Sequence, residues 1–313
     1  MKKVIDSDKL YFTKCSNIAV LMSTYNGAAF LQSQIESILS QTIASQLELF
    51  IRDDGSTDGT KDILEKMAAR PNIHVEYGSN VGFINSFLTL LKNCGEFDYY
   101  SYSDQDDVWL PQKIERAVAA LEKERTTVPT LYFSNYDYYN ASMQFLGHAH
   151  APQNISFPNC LVDCAPLGFT CVMNKAARDL IAARIPVHAC GHDWWTYMVC
   201  CGLGKVIFDD VSTVRYRRTG NNVSGGGKSF IAFQIWRFKK FFVGDYFTNI
   251  TQMLREYETL FGSRLKESDQ KILALFTKKT VPNALKKIFF PRKFRQNATD
   301  EVFLRLCFLL GRL

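Results

Sequence analysis

The stretch SDQDDVW, residues 103–109, sets Asp104, Asp106 and Asp107 side by side just after the strand-like run FDYYSY. Carboxylates this close repel one another, so the arrangement is tolerable only where water or a cation offsets the charge. Oxygen-rich groups of this kind suit Mg²⁺ or Mn²⁺, ions that bridge a diphosphate and stabilise the charge developing on it as it departs. A solvated acidic turn is the alternative reading of the triplet taken alone.

Upstream, from Ile18 to about Asn135, short apolar strands alternate with longer amphipathic segments, the pattern of repeated β-α units. IAVLMS (18–23) reads as a strand, and FLQSQIESILSQ (30–41) places Leu31, Ile35, Ile38 and Leu39 on one helical face. LELFIRDD (47–54) is the next strand, followed by a helix from about Asp58 to Ala69 that Pro71 closes. IHVEY (73–77), a helix around Phe83–Leu91, a helix over 111–124 and the strand LYFSNY (131–136) complete this half. In an open, mainly parallel sheet, ligands bind beyond the carboxyl ends of the strands, so Thr24–Asn26, Asp53–Ser56 and Asp104–Asp107 should converge.

Each of these strand ends carries usable chemistry. In RDDGSTDGT (52–60) Gly55 allows a tight turn, Ser56 and Asp58 are helix-cap residues, and Asp53 or Asp54 is able to accept hydrogen bonds from a nucleobase or ribose. STYNG (23–27) offers a hydroxyl, an aromatic ring and an amide. The segment 136–225 is less regular, with a strand at FTCVMN (169–174), a helix near Lys175–Arg184, another starting at Gly191 or His192, and a strand through Asp210–Arg217. Beyond Gly227 the pattern is helical, including KSFIAFQIWRFKKFF (228–242) and the basic, aromatic run LKKIFFPRKFR (285–295).

The 313 residues, 47% of them hydrophobic, suffice for one sizeable core and a smaller appendage. Nine cysteines with no Cys-x-x-Cys pair suggest neither a disulfide framework nor a zinc ribbon, which fits a reducing compartment. Asp6 and Asp8 interrupt MKKVIDSDKLYF before a signal-peptide core forms, and no window reaches the roughly 18 apolar residues of a spanning helix. The net charge of +6 is uneven: residues 226–313 hold 17 Lys and Arg against 7 Asp and Glu, and the remainder 20 against 24. A basic tail of this kind points to anionic lipid or to nucleic acid.

In this order, the three polar clusters resemble those of the family 2 glycosyltransferases with the GT-A fold, over roughly residues 16–220. The resemblance implies an α/β fold with a mainly parallel sheet flanked by helices and a C-terminal helical extension. It also implies transfer from a nucleotide-diphosphate sugar with the help of Mg²⁺ or Mn²⁺. Carried over by position, Thr24, Tyr25 and Asp54 contact the nucleotide, with Asn26 and Ser56 beside them, Asp104 contacts the nucleotide sugar, and Asp106 binds the metal.

Within that family, NVGFINSF (80–87), SDQDDVW, GHDWW (191–195) and YRRTGNNVSG (216–225) look most like bacterial rhamnosyltransferases of cell-surface polysaccharide assembly. The implied reaction is inverting transfer of L-rhamnose from dTDP-L-rhamnose to a saccharide acceptor, with a UDP-hexose donor as the alternative. GHDWW falls where such enzymes place their catalytic base, which makes Asp193 the base and Trp194 and Trp195 acceptor-site walls able to stack on a sugar. Where many relatives read Tyr-Arg-x-His, this chain has Tyr216, Arg217, Arg218 and Thr219, so an imidazole ligand is missing. Arg217 or Arg218 is able to pair with diphosphate oxygens, or is a surface charge.

The expected division is a GT-A domain over 1–225, with a nucleotide half at about 16–135 and an acceptor half at about 136–225, and a basic amphipathic extension over 226–313. Because the family's usual acceptors are lipid-linked, the extension is expected to rest on anionic lipid at the cytoplasmic face of the cell membrane, with no nucleic acid bound. Other classes fit less well. GGGKS (225–229) lacks the earlier glycine of a phosphate-binding loop because Asn222 stands there, and STYNGAAF lacks the Gly-x-Gly-x-x-Gly of a dinucleotide fold. His188 and His192 have Ala189 where a zinc protease has Glu. A non-catalytic carbohydrate- or nucleic-acid-binding protein would have no use for both the carboxylate cluster and Asp193.

Overall fold

The computed structural model describes residues 17–219 and 244–313. The expectations for the N-terminal dozen residues, for GGGKS, for the helix at 228–242 and for a boundary near residue 225 lie outside the described residues. Strand β1 (Ile18–Thr24) is apolar on both faces, and Ile18 through Met22 are fully buried, as a strand covered by helices on both sides must be. It pairs in parallel with β2 (Leu47–Asp53), which pairs in parallel with β3 (Ile73–Tyr77). On its other side β1 pairs in parallel with β4 (Tyr99–Ser103). Helices α1 (Leu31–Leu39), α2 (Thr60–Met67) and α3 (Phe83–Asn93) make the crossovers. The order β3-β2-β1-β4 reverses direction at β1, and the crevice in which open α/β sheets bind their ligands lies beyond the strand ends at such a switch point.

Beyond β4 the sheet becomes mixed. The short β5 (Val108–Trp109) and α4 (Lys113–Leu121) lead to β6 (Thr130–Asn140) and its hairpin partner β7 (Phe145–His148). A short α5 (Phe157–Cys160) precedes β8 (Cys171–Asn174), which runs antiparallel to both β4 and β6. Helices α6 (Lys175–Ala182) and α7 (His192–Leu203) then lead to β9 (Lys205–Arg218). Strands β6 and β9 are longer than the apolar runs suggested, because they pair in parallel along their whole length, past a register shift around Asn135. Ladder hydrogen bonds there carry polar residues such as Asp209 and Ser212 that hydropathy alone does not assign to a strand.

Among the described residues four more helices follow: α8 (Tyr246–Phe261), α9 (Glu267–Thr277), α10 (Val281–Ile288) and α11 (Ala298–Leu309). They share one core with the sheet domain. Tyr257 and Phe261 pack on Trp195 at ring-centroid distances of 5.8 and 6.3 Å, and the Tyr257 hydroxyl donates to the Met198 carbonyl at 3.0 Å. The run 285–295 is not one helix. Pro291 disfavours helical geometry at the residue before it, and Glu301 draws the next turn inward by accepting the Phe294 and Arg295 N–H groups at 2.8 and 2.9 Å. Among the described residues no cysteine forms a disulfide.

Candidate active site

Three strand ends meet at the crevice, tied together by side chains. Gln105, between two of the clustered carboxylates, accepts from the Thr24 hydroxyl at 2.6 Å and the Tyr25 N–H at 2.9 Å. Its amide nitrogen donates back to the Tyr25 carbonyl at 3.2 Å. A Cβ at position 27 would meet the Gln105 Oε1 at 2.3 Å, so a side chain there would push the Gln105 amide off Thr24 and Tyr25. Asn26 takes a left-handed backbone, φ 50°, and its amide oxygen accepts from the Thr57 N–H at 2.8 Å, while its own N–H donates to the Ser56 hydroxyl at 2.9 Å. The β1, β2 and β4 ends thus form one rigid rim.

Within this rim the residues singled out in the sequence are held by one another. Asp54 is buried, and its oxygens accept from Arg52, from the Val81 N–H and from the Gly82 N–H, the last two at 2.9 Å each. The NVGF loop folds back onto it, so Asp54 anchors that loop. Asp53 is fully buried and accepts from the Ser56 N–H. Ser56 and Thr24 are likewise enclosed, spent on Asn26 and Gln105. Of the nucleotide candidates on these ends, Tyr25 and Asn26 stand at the surface, with Tyr25 46% exposed.

Beyond β4 lies the carboxylate cluster. Burial, then repulsion from Asp106 and Asp193, pushes Asp104 up to about 8. Burial raises Asp106, against its own backbone amide and Arg217, and raises Asp107 further, with Asp104 and Asp106 adding to the effect. Asp107 accepts the Arg217 N–H at 3.1 Å through one oxygen, while its buried second oxygen has no partner among the described residues. Among those residues no three His, Cys, Asp or Glu side chains are arranged to hold an ion unaided. The donor set fits an ion of the Mg²⁺ type, which takes one or two carboxylates and completes its shell with substrate phosphates and water.

Arg217 was expected to reach a diphosphate. Its guanidinium is instead buried over the Phe30 ring, donating to the Asp106 carbonyl and the Ala141 carbonyl at 2.8 Å each. It clamps the carboxylate loop against β9 and the β6–β7 turn.

Asp193 opens α7. Its carboxylate accepts from the Gly168 N–H at 3.0 Å and the Trp194 N–H at 2.8 Å, which fix its orientation. It lies near enough to Asp104 for the two charges to repel. His192, next to it, is buried with its ring stacked on Phe87 at 4.0 Å and edge-on to Tyr102 at 4.6 Å. Trp194 and Trp195 do not wall an acceptor site. The Trp194 indole N–H donates inward to the Cys160 carbonyl at 2.7 Å, and Trp195 is fully buried against the C-terminal helices. Helix α7 is apolar on every side, which buries both rings.

Gln105 and Gly168 are the residues that sequence reasoning missed. Gln105 was visible inside SDQDDVW, but its partners are some 80 residues away. Gly168 acts through its backbone and leaves no chemical signature in the sequence.

Residues 19–169 match the family model described as Glycosyl transferase family 2. The chain is 28% identical over 235 residues to the dTDP-rhamnosyl transferase RfbG of Shigella flexneri, covering 67% of this chain and 76% of that one. It is 26% identical over 159 residues, 50% of this chain and 61% of the other, to the UDP-Glc:alpha-D-GlcNAc-diphosphoundecaprenol beta-1,3-glucosyltransferase WfaP of Escherichia coli. Several other curated glycosyltransferases are matched over about a third of their length.

Among solved structures, S. aureus TarS 1–349 in complex with UDP-GlcNAc superposes with a TM-score of 0.56 at 14% identity, covering 94% of this chain and 92% of that one. The mannosyltransferase PcManGT of Pyrobaculum calidifontis, in complex with GDP-Man and Mn²⁺, gives 0.51 at 14%, covering 96% and 86%. With an enzyme family matched, the non-catalytic reading is set aside. Residues 19–169 are a family 2 glycosyltransferase domain, and the chain is a glycosyltransferase with the GT-A fold.

Proposed function

We propose that this glycosyltransferase moves L-rhamnose, with inversion, from dTDP-L-rhamnose to a lipid-linked saccharide during bacterial cell-surface polysaccharide synthesis. The observation that carries the reading is the pairing of Asp193, held by the Gly168 and Trp194 amides, with the carboxylate cluster at the end of β4. One carboxylate faces the acceptor and the others face the donor. The rhamnosyl relative and the diphosphoundecaprenol named for the glucosyl relative support the donor and the acceptor class.

In this mechanism Tyr25, exposed at the rim, stacks on the nucleobase, and Asn26 is within the same face. Asp106, supported by Asp104, would hold Mg²⁺ or Mn²⁺, whose charge offsets that of the departing nucleoside diphosphate. Asp193 accepts the proton of the acceptor hydroxyl as its oxygen bonds to the anomeric carbon. The bond from that carbon to the diphosphate breaks, and its electron pair leaves with the diphosphate. Arg217 contributes by fixing the loop that carries Asp106.

The chain is proposed to work at the cytoplasmic face of the membrane, as a catalytic unit to about residue 225 followed by the extension. No helix among the described residues is long and apolar enough to cross a bilayer. Support for peripheral attachment comes from α10 and α11, where Val281, Leu285 and Phe289 and then Val302, Leu306 and Leu309 are exposed at helical spacing. Lys278, Lys279, Lys286, Arg292 and Lys293 are exposed around them. Lys287, expected among these, is instead buried between the Phe276 and Phe308 rings. Lys239 and Lys240 lie outside the described residues.

A UDP-hexose donor is the second reading, favoured by the UDP-Glc of the glucosyl relative. Nucleotide release from dTDP-, UDP- and GDP-sugars, with Mg²⁺, Mn²⁺ or chelator, separates the two. Release from dTDP-rhamnose that needs metal and is lost in Asp106→Asn is the expected result. Full activity in chelator removes the metal, and preference for a UDP-hexose removes rhamnose.

A further inference from the structure

A cavity of about 260 Å³ lies beside the catalytic crevice, and the mechanism above does not use it. Leu167 and Thr170, on either side of Gly168, line it, so it begins next to the amide that holds Asp193. One wall is aromatic, with Phe133 and Phe208 at 5.1 Å from each other and Tyr136 nearby. The other lining groups include Asn135, Gln153 and Asn297, all neutral and all able to donate and accept hydrogen bonds. Among the described residues the cavity is lined by no Asp, Glu, Lys or Arg, and His150 is the one imidazole in its wall.

The last wall belongs to the C-terminal extension. Gln296 latches it in place. Its side-chain oxygen accepts from the Gln153 and Asn154 N–H groups at 3.0 and 3.1 Å, and its nitrogen donates to the Asn154 carbonyl at 2.7 Å. Asn154 in turn donates to the Lys293 carbonyl at 2.7 Å, and Asn159 to the Phe294 carbonyl at 2.6 Å. The turn between α10 and α11 is therefore built into the cavity.

We infer that this cavity is a subsite for a neutral sugar ring of the acceptor, completed by the C-terminal extension. The chemistry selects the ligand. Aromatic faces with uncharged amides suit a polyhydroxylated ring, which offers apolar C–H faces and hydroxyls around them. A nucleoside diphosphate fits poorly, because the described lining offers its charge no Lys or Arg and only the single imidazole of His150. The position beside Gly168 puts a ring bound here next to the one whose hydroxyl Asp193 deprotonates. The extension thus takes part in choosing the acceptor. The acceptor role rests on the transferase reading; the presence of a sugar site does not.

Ala151 lines the cavity and is exposed, so Ala151→Trp fills the space without disturbing the core, and Gln153→Trp does so from the neighbouring position. The probes are the methyl glycosides of L-rhamnose, D-glucose, D-galactose and N-acetyl-D-glucosamine, followed by saturation-transfer NMR on the full chain. At least one should bind the wild type in the millimolar range and bind both variants about tenfold more weakly or not at all. Donor hydrolysis in the absence of acceptor should be unchanged in both variants. Glycosides that fail to bind the wild type into the tens of millimolar, or that bind both variants equally, overturn the subsite. Absent donor turnover by the wild type would overturn the transferase reading instead.

Discussion

His192 provides a quantitative test of how the site is built. Its ring stacks on Phe87 and meets Phe83 and Tyr102 edge-on, and neither ring nitrogen has a hydrogen-bond partner among the described residues. Burial pushes it down to about 4, with the neighbouring Asp193 charge pulling only partly the other way. In the unfolded chain the imidazole titrates near its ordinary value of about 6.5. Above that value both states are neutral and His192 adds no pH dependence. As pH falls below it, the unfolded chain takes up the proton first and stability drops, levelling off below the folded value. From these two values the loss at pH 5 relative to pH 7.5 is about 2 kcal/mol. Phe fits the same aromatic box and has no proton to gain. Urea denaturation of wild type and His192→Phe at both pH values isolates the effect from other groups, since only their difference is read. The variant should lose about 2 kcal/mol less than the wild type between pH 7.5 and pH 5. Equal losses would show that His192 is not held neutral by this enclosure.

Arg217→Lys keeps the charge but leaves the Asp106 and Ala141 carbonyls without their donors, and should cost about 2–4 kcal/mol in urea unfolding together with most of kcat. Wild-type stability in that variant would refute the clamp. Changing Lys278, Lys279, Lys286, Arg292 and Lys293 to Glu should abolish low-salt binding to anionic vesicles, since each basic residue near such a surface contributes about 1 kcal/mol. A wild-type chain that ignores those vesicles would end the attachment proposal.

The β-α half was legible because its signals are local. Strand β1 is apolar on both faces, α1 carries Leu31, Ile35 and Ile38 on one stripe, and polar residues collect where the strands stop. What escaped the sequence depends on distant partners. Two carboxylates at the end of β2 look like ligands, and nothing local shows that the loop at Val81 and Gly82 donates to Asp54. Arg217 looks like a phosphate contact, and its part in holding the Asp106 and Ala141 carbonyls, 111 and 76 residues upstream, leaves no local signal. The tryptophans were misjudged for another reason. WWTYMVCC has no polar stripe, and a helix apolar all round is a buried one, a pattern present in the sequence that the attraction of paired aromatics beside a base obscured.

The central claim is that Asp193 removes the acceptor proton in a single displacement, and Asp193→Asn assayed with product NMR tests it most directly. The amide has nearly the shape of the carboxylate but little basicity. Donor affinity should survive, while transfer falls by about 10² to 10⁴-fold, the usual contribution of a general base. From dTDP-β-L-rhamnose the wild-type product should be the α-L-rhamnoside. A retained β-anomer, or an Asp193→Asn enzyme of ordinary speed, would contradict the account.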